Sequence, residues 1–124
     1  MFLVDEETGS ITLTQGDTGE YVINGLPTDQ YYTVYLAIQD SKRNPIGSEI
    51  VENANLKSSV SMKFLASLTD LLTVSKSNET ETYYFGIKIC DKLGNEDTLV
   101  IGNNEIGDNN TITVYPKKVE GING

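Results

Sequence analysis

Histidine and tryptophan are absent from these 124 residues, and cysteine occurs once. Without histidine there is no Ser–His–Asp triad, no imidazole general base and no zinc site built from the usual His and Cys ligands. The lone Cys90 forms no intrachain disulfide. A nucleophilic thiol needs an activating base or a helix N-terminus, so Cys90 is read as a small packing residue. Basic side chains are also scarce: nine Lys and Arg stand against 18 Asp and Glu, for a formal net charge of −9. Such a chain is repelled by phosphate backbones and anionic lipid, which argues against a nucleic-acid or membrane partner. No apolar run approaches the roughly 18–20 residues of a membrane-spanning helix. Met1-Phe2-Leu3-Val4 is followed by three acids and has no basic flank, so no signal peptide is expected and the chain is expected to fold in the cytoplasm.

What is present is β-strand pattern. Thr82 to Cys90 is the longest such run, with Tyr83, Phe85, Ile87 and Ile89 on one face and Tyr84, Gly86, Lys88 and Cys90 on the other. Large apolar residues at period two describe a central strand with one face in a core. Gly86 allows a neighbour to approach closely, or marks a bulge. Shorter strands are expected at Ser10–Gln15, Glu20–Asn24, Tyr31–Gln39, Ile46–Val51, Ser58–Leu65, Asp97–Ile101 and Thr111–Tyr115. Phe2-Leu3-Val4 reads as an edge strand or a contact with another subunit, within a lead-in arm at residues 1–9. Residues 65, 68, 71 and 72 are apolar at the spacing of a short helix. Residues 117–124 read as a flexible tail. Seven or eight short strands with regular turn signals and one crossover helix predict a single all-β domain over residues 1–124, an antiparallel immunoglobulin-like β-sandwich. A closed barrel is the alternative.

Few residues carry chemistry. Asp91, Glu96, Asp97, Glu105 and Asp108 flank one strand, and converging carboxylates are what Ca²⁺ takes, but their spacing fits no EF-hand loop. Used as a glycosidase pair, they lack a domain large enough for a cleft. No metal or cofactor is therefore expected, and no catalytic residue is assigned. Asn78-Glu79-Thr80 and Asn109-Asn110-Thr111 match the glycosylation pattern and are read as polar loops; Lys117-Lys118 is read as a solvated end. Tyr83 or Tyr84 fits a tyrosine corner holding the loop from Leu71 to Thr82. The more suggestive group is Tyr31, Tyr32 and Tyr35, whose rings suit a protein partner or a sugar. With Phe2 and Leu3 they form the expected interaction residues.

The order of these features resembles that of small phage tail and baseplate domains, of the kind found at the N-terminus of a baseplate upper protein. The residues carrying the resemblance are Ile11-Thr12-Leu13-Thr14-Gln15-Gly16-Asp17-Thr18, then Thr33-Val34-Tyr35-Leu36-Ala37-Ile38 and Thr69-Asp70-Leu71-Leu72. Tyr83-Tyr84-Phe85-Gly86-Ile87-Lys88-Ile89, Thr98-Leu99-Val100 and Thr113-Val114-Tyr115-Pro116-Lys117-Lys118-Val119 complete it. It covers roughly residues 10–119. Gly25-Leu26-Pro27 departs from it, standing where such domains would place a charged strand end. The resemblance implies a non-enzymatic structural module of a virion or prophage, acting through contacts with other virion proteins and as a homo-oligomer. The alternative is a binding module, either for carbohydrate or as an acidic inhibitor of a host protein.

Overall fold

In the computed structural model, which describes residues 1–99 and 110–118, the regular secondary structure is almost entirely strand. In order it forms β1 (Phe2–Val4), β2 (Ile11–Thr14), β3 (Gly19–Ile23), β4 (Tyr32–Gln39), β5 (Ile50–Asn53) and β6 (Val60–Phe64). A one-turn helix, α1 (Ala66–Thr69), is followed by β7 (Glu81–Asp91), β8 (Glu96–Leu99) and β9 (Asn110–Tyr115). The larger sheet has the order β1-β2-β9-β7-β4-β5, with β8 also paired to β7; β3 and β6 form the second sheet. This is an immunoglobulin-like sandwich with one short helix.

The run that dominates the sequence is the central strand. Along one edge β7 pairs with β4 through eight rungs, from Tyr32↔Asp91 to Gln39↔Tyr84. Along the other it pairs first with β9 and then with β8. The ladder to β4 is unbroken at Gly86, which pairs with Ala37, so the glycine marks no bulge there. One pairing departs from the antiparallel expectation: β2 lies parallel to β9, with Ile11 opposite Ile112 and Leu13 opposite Val114. Parallel neighbours need a long connection between them, and here nearly the whole chain intervenes.

Alternation places the apolar residues of both sheets face to face. Ile11, Leu13, Val34, Leu36, Ile38, Phe85, Ile87, Ile112 and Val114 from the larger sheet meet Tyr21, Ile23, Met62 and Phe64 from the smaller. The Tyr21 ring meets Phe85 edge-on, with centroids 5.3 Å apart, and its hydroxyl donates to the Gly9 carbonyl at 2.8 Å. Burial pushes the Tyr21 phenol up to about 12, because a phenolate loses its hydration there.

Tyr83 is the tyrosine corner. It enters the core at the start of β7, and its hydroxyl donates to the Thr73 carbonyl at 2.6 Å, tying the 70–80 loop to the sheet. Tyr83→Phe keeps the ring but leaves that carbonyl without its donor. A loss of about 1–2 kcal/mol is expected in urea unfolding, with faster amide exchange confined to the loop. Unchanged stability would mean that water serves the carbonyl equally well.

Two segments and one side chain depart from the sequence reading. The strand expected at Ile46–Val51 is split and displaced. Pro45 bridges Gln39 and the Ile46 amide bonds to Ile38, but Gly47 turns the chain at φ 67° and pairing resumes only at β5. Glu52 and Asn53, expected to break the pattern, belong to β5. Asn53 lies opposite Thr33, and the Thr33 hydroxyl donates to its Oδ1 at 3.2 Å. In and around α1 the expected apolar stripe holds only in part. Leu68 and Leu72 pack inward while Leu65 and Leu71 are exposed, and Thr69 is buried instead. The edge strand expected at Phe2-Leu3-Val4 is present as β1, but Phe2, expected as an interaction residue, turns inward onto Phe64, with ring centroids 5.2 Å apart.

Candidate interaction surface

Where β4 and β7 present their outer face, the rungs alternate in bulk. Tyr35 lies opposite Lys88, Ala37 opposite Gly86, and Gln39 opposite Tyr84. At the middle rung the sheet is covered by one methyl group and one hydrogen, so the surface dips between the larger rungs on either side. Ile50 is the partner of Leu36, so Glu49, one residue earlier, falls beside Ala37. From the other side come Thr98, opposite Lys88, and Glu96, whose carboxylate lies 3.6 Å from the Lys88 ammonium. The result is an open depression of about 370 Å³ with a small-residue floor, an aromatic wall at Tyr35 and charged walls at Glu49, Lys88 and Glu96. Glu49 makes no ion pair or hydrogen bond among the described residues.

The expected interaction residues do not form one surface. Tyr35 lines the depression. Tyr32, at an inward position of β4, packs against the rim of the core and donates through its hydroxyl to Gln30 Oε1 at 2.8 Å. Tyr31 lies in the preceding loop with the Lys92 ammonium 5.2 Å from its ring centroid. Leu3 is exposed on β1, at the opposite edge of the sheet from β4 and β5, and Phe2 is turned into the sandwich. Ala37, Gly86 and Glu49 were missed because only the pairing register brings them together. The signal available in the sequence was Gly86, read as permitting a close approach.

Three of the aspartates, Asp5, Asp40 and Asp91, are engaged in turn structure. Asp5 Oδ1 accepts the amides of Glu7 and Thr8, at 2.9 and 3.2 Å, closing the turn between β1 and β2. Two hairpin loops at opposite ends of the larger sheet share one design. Asp40 Oδ1 accepts the amides of Lys42 and Asn44, and Oδ2 accepts the Asn44 side-chain amide. Asp91 does the same with Leu93 and Asn95. The third loop residue has positive φ in both, 66° at Arg43 and 90° at Gly94. Each is a three-residue hairpin connection closed by a left-handed residue.

Hydrogen bonds hold both carboxyls below the usual range, led by the Asn44 amide at Asp40 and the Asn95 side chain at Asp91. A depressed carboxylate contributes stability that is present above its unfolded value, about 3.9, and is lost as pH falls through the folded one. The Lys42, Asn44, Leu93 and Asn95 amides are therefore expected to shift together on acidification, below the ordinary aspartate value. Asp91→Asn removes the transition from Leu93 and Asn95 alone; amides that ignore pH throughout that range would rule out the charge-assisted loop. Arginine is strained in the left-handed region where glycine is not. Arg43→Gly is accordingly expected to gain about 0.5–1 kcal/mol in thermal unfolding, whereas Gly94→Arg should lose a similar amount.

The remaining sequence candidates are placed as follows. The half-buried Cys90 donates through Sγ to the Asp91 carbonyl at 3.5 Å. Among the described residues no three Asp, Glu or Cys side chains gather as a metal site. Glu105 and Asp108 lie outside the described residues, as do Val100 and Ile101 in the strand expected at Asp97–Ile101 and the tail beyond Lys118. Lys117, expected at a solvated end, binds Asp70 at 2.6 Å. Asn110 is buried and donates to the Thr8 carbonyl at 3.0 Å.

No protein-family model and no curated protein matches the chain. Among solved structures it is similar to the crystal structure of the periplasmic chaperone SfaE, with a TM-score of 0.62 at 5% sequence identity. The match covers 88% of this chain and 54% of that one, so the chain spans about half the length of the chaperone. At that identity the likeness is one of fold, and it places the chain among immunoglobulin-like sandwiches.

Proposed function

We propose that this protein is a non-enzymatic assembly module that works through protein–protein contacts on the outer face and edges of its larger sheet, as a component of a phage tail or baseplate. The observation that carries the reading is the depression over Ala37 and Gly86, set in the paired strands β4 and β7 between Tyr35 and charged walls. Beside it the open edge strand β5 exposes Val51 opposite Tyr35. An aromatic ring and an aliphatic side chain around a dip, with charge at the rim, is the composition of a protein-contact surface. An open strand edge offers further backbone pairing to a second chain. The sequence resemblance supplies the setting in a virion.

Light scattering of the purified protein over a wide concentration range tests this. The mass is expected to rise with concentration to a closed oligomer, and Tyr35→Ala and Val51→Glu are expected to hold it at the monomer. A strict monomer that also fails to bind purified tail and baseplate proteins from the same genome would overturn the reading.

A further inference from the structure

We infer that the depression over Ala37 and Gly86 receives an arginine side chain of the partner protein. The inference rests on the protein-contact reading of this face and names the group that contact recognises. Three observations converge. The floor at the Ala37–Gly86 rung carries nothing larger than a methyl group, an apolar strip against which the trimethylene stem of a long side chain can lie. Two carboxylates stand in the walls and only one is matched, because Lys88 lies against Glu96 and leaves Glu49 without a counter-ion among the described residues. Tyr35 rises beside Glu49's side of the floor, where a planar cation can stack on the ring while donating to the carboxylate. Arginine does both at once, with a flat guanidinium and a fork of donors. Lysine offers a single compact charge and no stacking plane. The chain's net charge of −9 favours the approach of any cationic partner, so long-range attraction adds to the local match.

The neighbouring candidates are weaker. The second depression, near Gln15, Asp70 and Lys117, has its acid already paired with Lys117. The exposed Leu65 and Leu71 beside α1 carry no charge pattern that selects an occupant.

The test is an NMR titration of the ¹⁵N-labelled protein with N-acetyl-arginine methylamide, and in parallel with the citrulline counterpart, which is the same shape without charge. Shifts are expected at the amides of Ala37, Gly86 and Glu49 with the arginine compound, and at least tenfold weaker binding with citrulline. Glu49→Gln and Tyr35→Ala are each expected to weaken binding about threefold to fivefold, the range for an exposed ion pair or a ring–cation contact. Glu7→Gln, in the turn at the far edge of the sheet, should change nothing. Equal shifts from citrulline, or equal weakening by Glu7→Gln, would overturn the inference in favour of non-specific attraction. If Tyr35→Ala abolishes association while the arginine compound titrates no amide, the face is an interface but arginine is not what it recognises. If neither Tyr35→Ala nor a depression-filling Gly86→Leu alters association, the protein-contact reading itself fails.

Discussion

Phe85→Ala is expected to destabilise the protein by about 3–5 kcal/mol, a large share of the stability of a domain this size. Phe85 is 1% exposed and lies on the strand that is bonded along both edges, opposite Ile38 on one side and Asn110 on the other. Its ring meets Tyr21 from the second sheet, so the contact joins the two layers directly. Truncation removes the burial of an aromatic ring and leaves a cavity that paired backbone on both sides prevents from collapsing. Phe85→Leu keeps most of the volume and should cost much less, about 1–1.5 kcal/mol. Urea denaturation of the three proteins gives the ordering. A loss below about 1 kcal/mol for the alanine variant would mean that the sheets are not packed together at this point. A second readout is the Tyr21 phenol, which titrates at about 12 because it is buried. A raised phenol contributes stability that is present below the unfolded value of about 10 and lost as pH rises through the folded one. Opening the cavity beside it should bring its absorbance transition down toward the ordinary tyrosine range.

The same strand shows what the sequence makes readable. Tyr83, Phe85 and Ile87 at period two are buried as their spacing demands, because alternation is a property of one strand and needs no knowledge of its neighbours. The tyrosine corner was readable for a similar reason: a tyrosine at the entry of that strand has a fixed chain behind it. Where a neighbour decides the outcome, the sequence is silent. Ile46 to Val51 alternates well enough for a strand, yet the left-handed Gly47 is packed against Leu68 and Leu71, and β5 takes its register from Thr33 and Leu36. Thr69 displaces Leu65 from the buried side because a single helical turn is oriented by the strand that precedes it, not by its own stripe. The depression is the extreme case. Ala37 and Gly86 come from two strands and Glu49 from the segment just before a third, and no local pattern joins them before the register does. The paired hairpin loops lie between these limits. Asp40-Ser41-Lys42-Arg43-Asn44 and Asp91-Lys92-Leu93-Gly94-Asn95 share aspartate and asparagine at the same offset, which was open to inspection, although arginine at the left-handed position disguised the first.

Gly19→Val is expected to release the first strand while leaving the rest of the sandwich folded, at a cost of about 2–3 kcal/mol. The constraint at Gly19 is space. A β-carbon there would stand 2.1 Å from Phe2 Cγ and 2.3 and 2.5 Å from the two ring carbons beside it. Glycine is thus the cavity into which the Phe2 ring fits on its way to Phe64. The backbone of β3 is held by β6, with Gly19 opposite Phe64, so the strand cannot retreat from an added side chain. The movable partner is Phe2, and ejecting it surrenders the burial of one aromatic ring and loosens the pairing of Phe2, Leu3 and Val4 with β2. Amide exchange should accelerate at residues 2–4 and in the Asp5–Gly9 turn, and leave β4 and β7 protected. Phe2→Ala should lose a similar amount, and the double variant should cost little more than either single one, because both act by emptying the same site. Fully additive losses would show that Gly19 acts on something other than Phe2. For the assembly reading the result has a direct use. If β1 contributes to association through the exposed Leu3, Gly19→Val will weaken it without touching the face around Tyr35. If association survives, the contact belongs to the other end of the strand order, where Tyr35 and Glu49 flank the depression over Gly86.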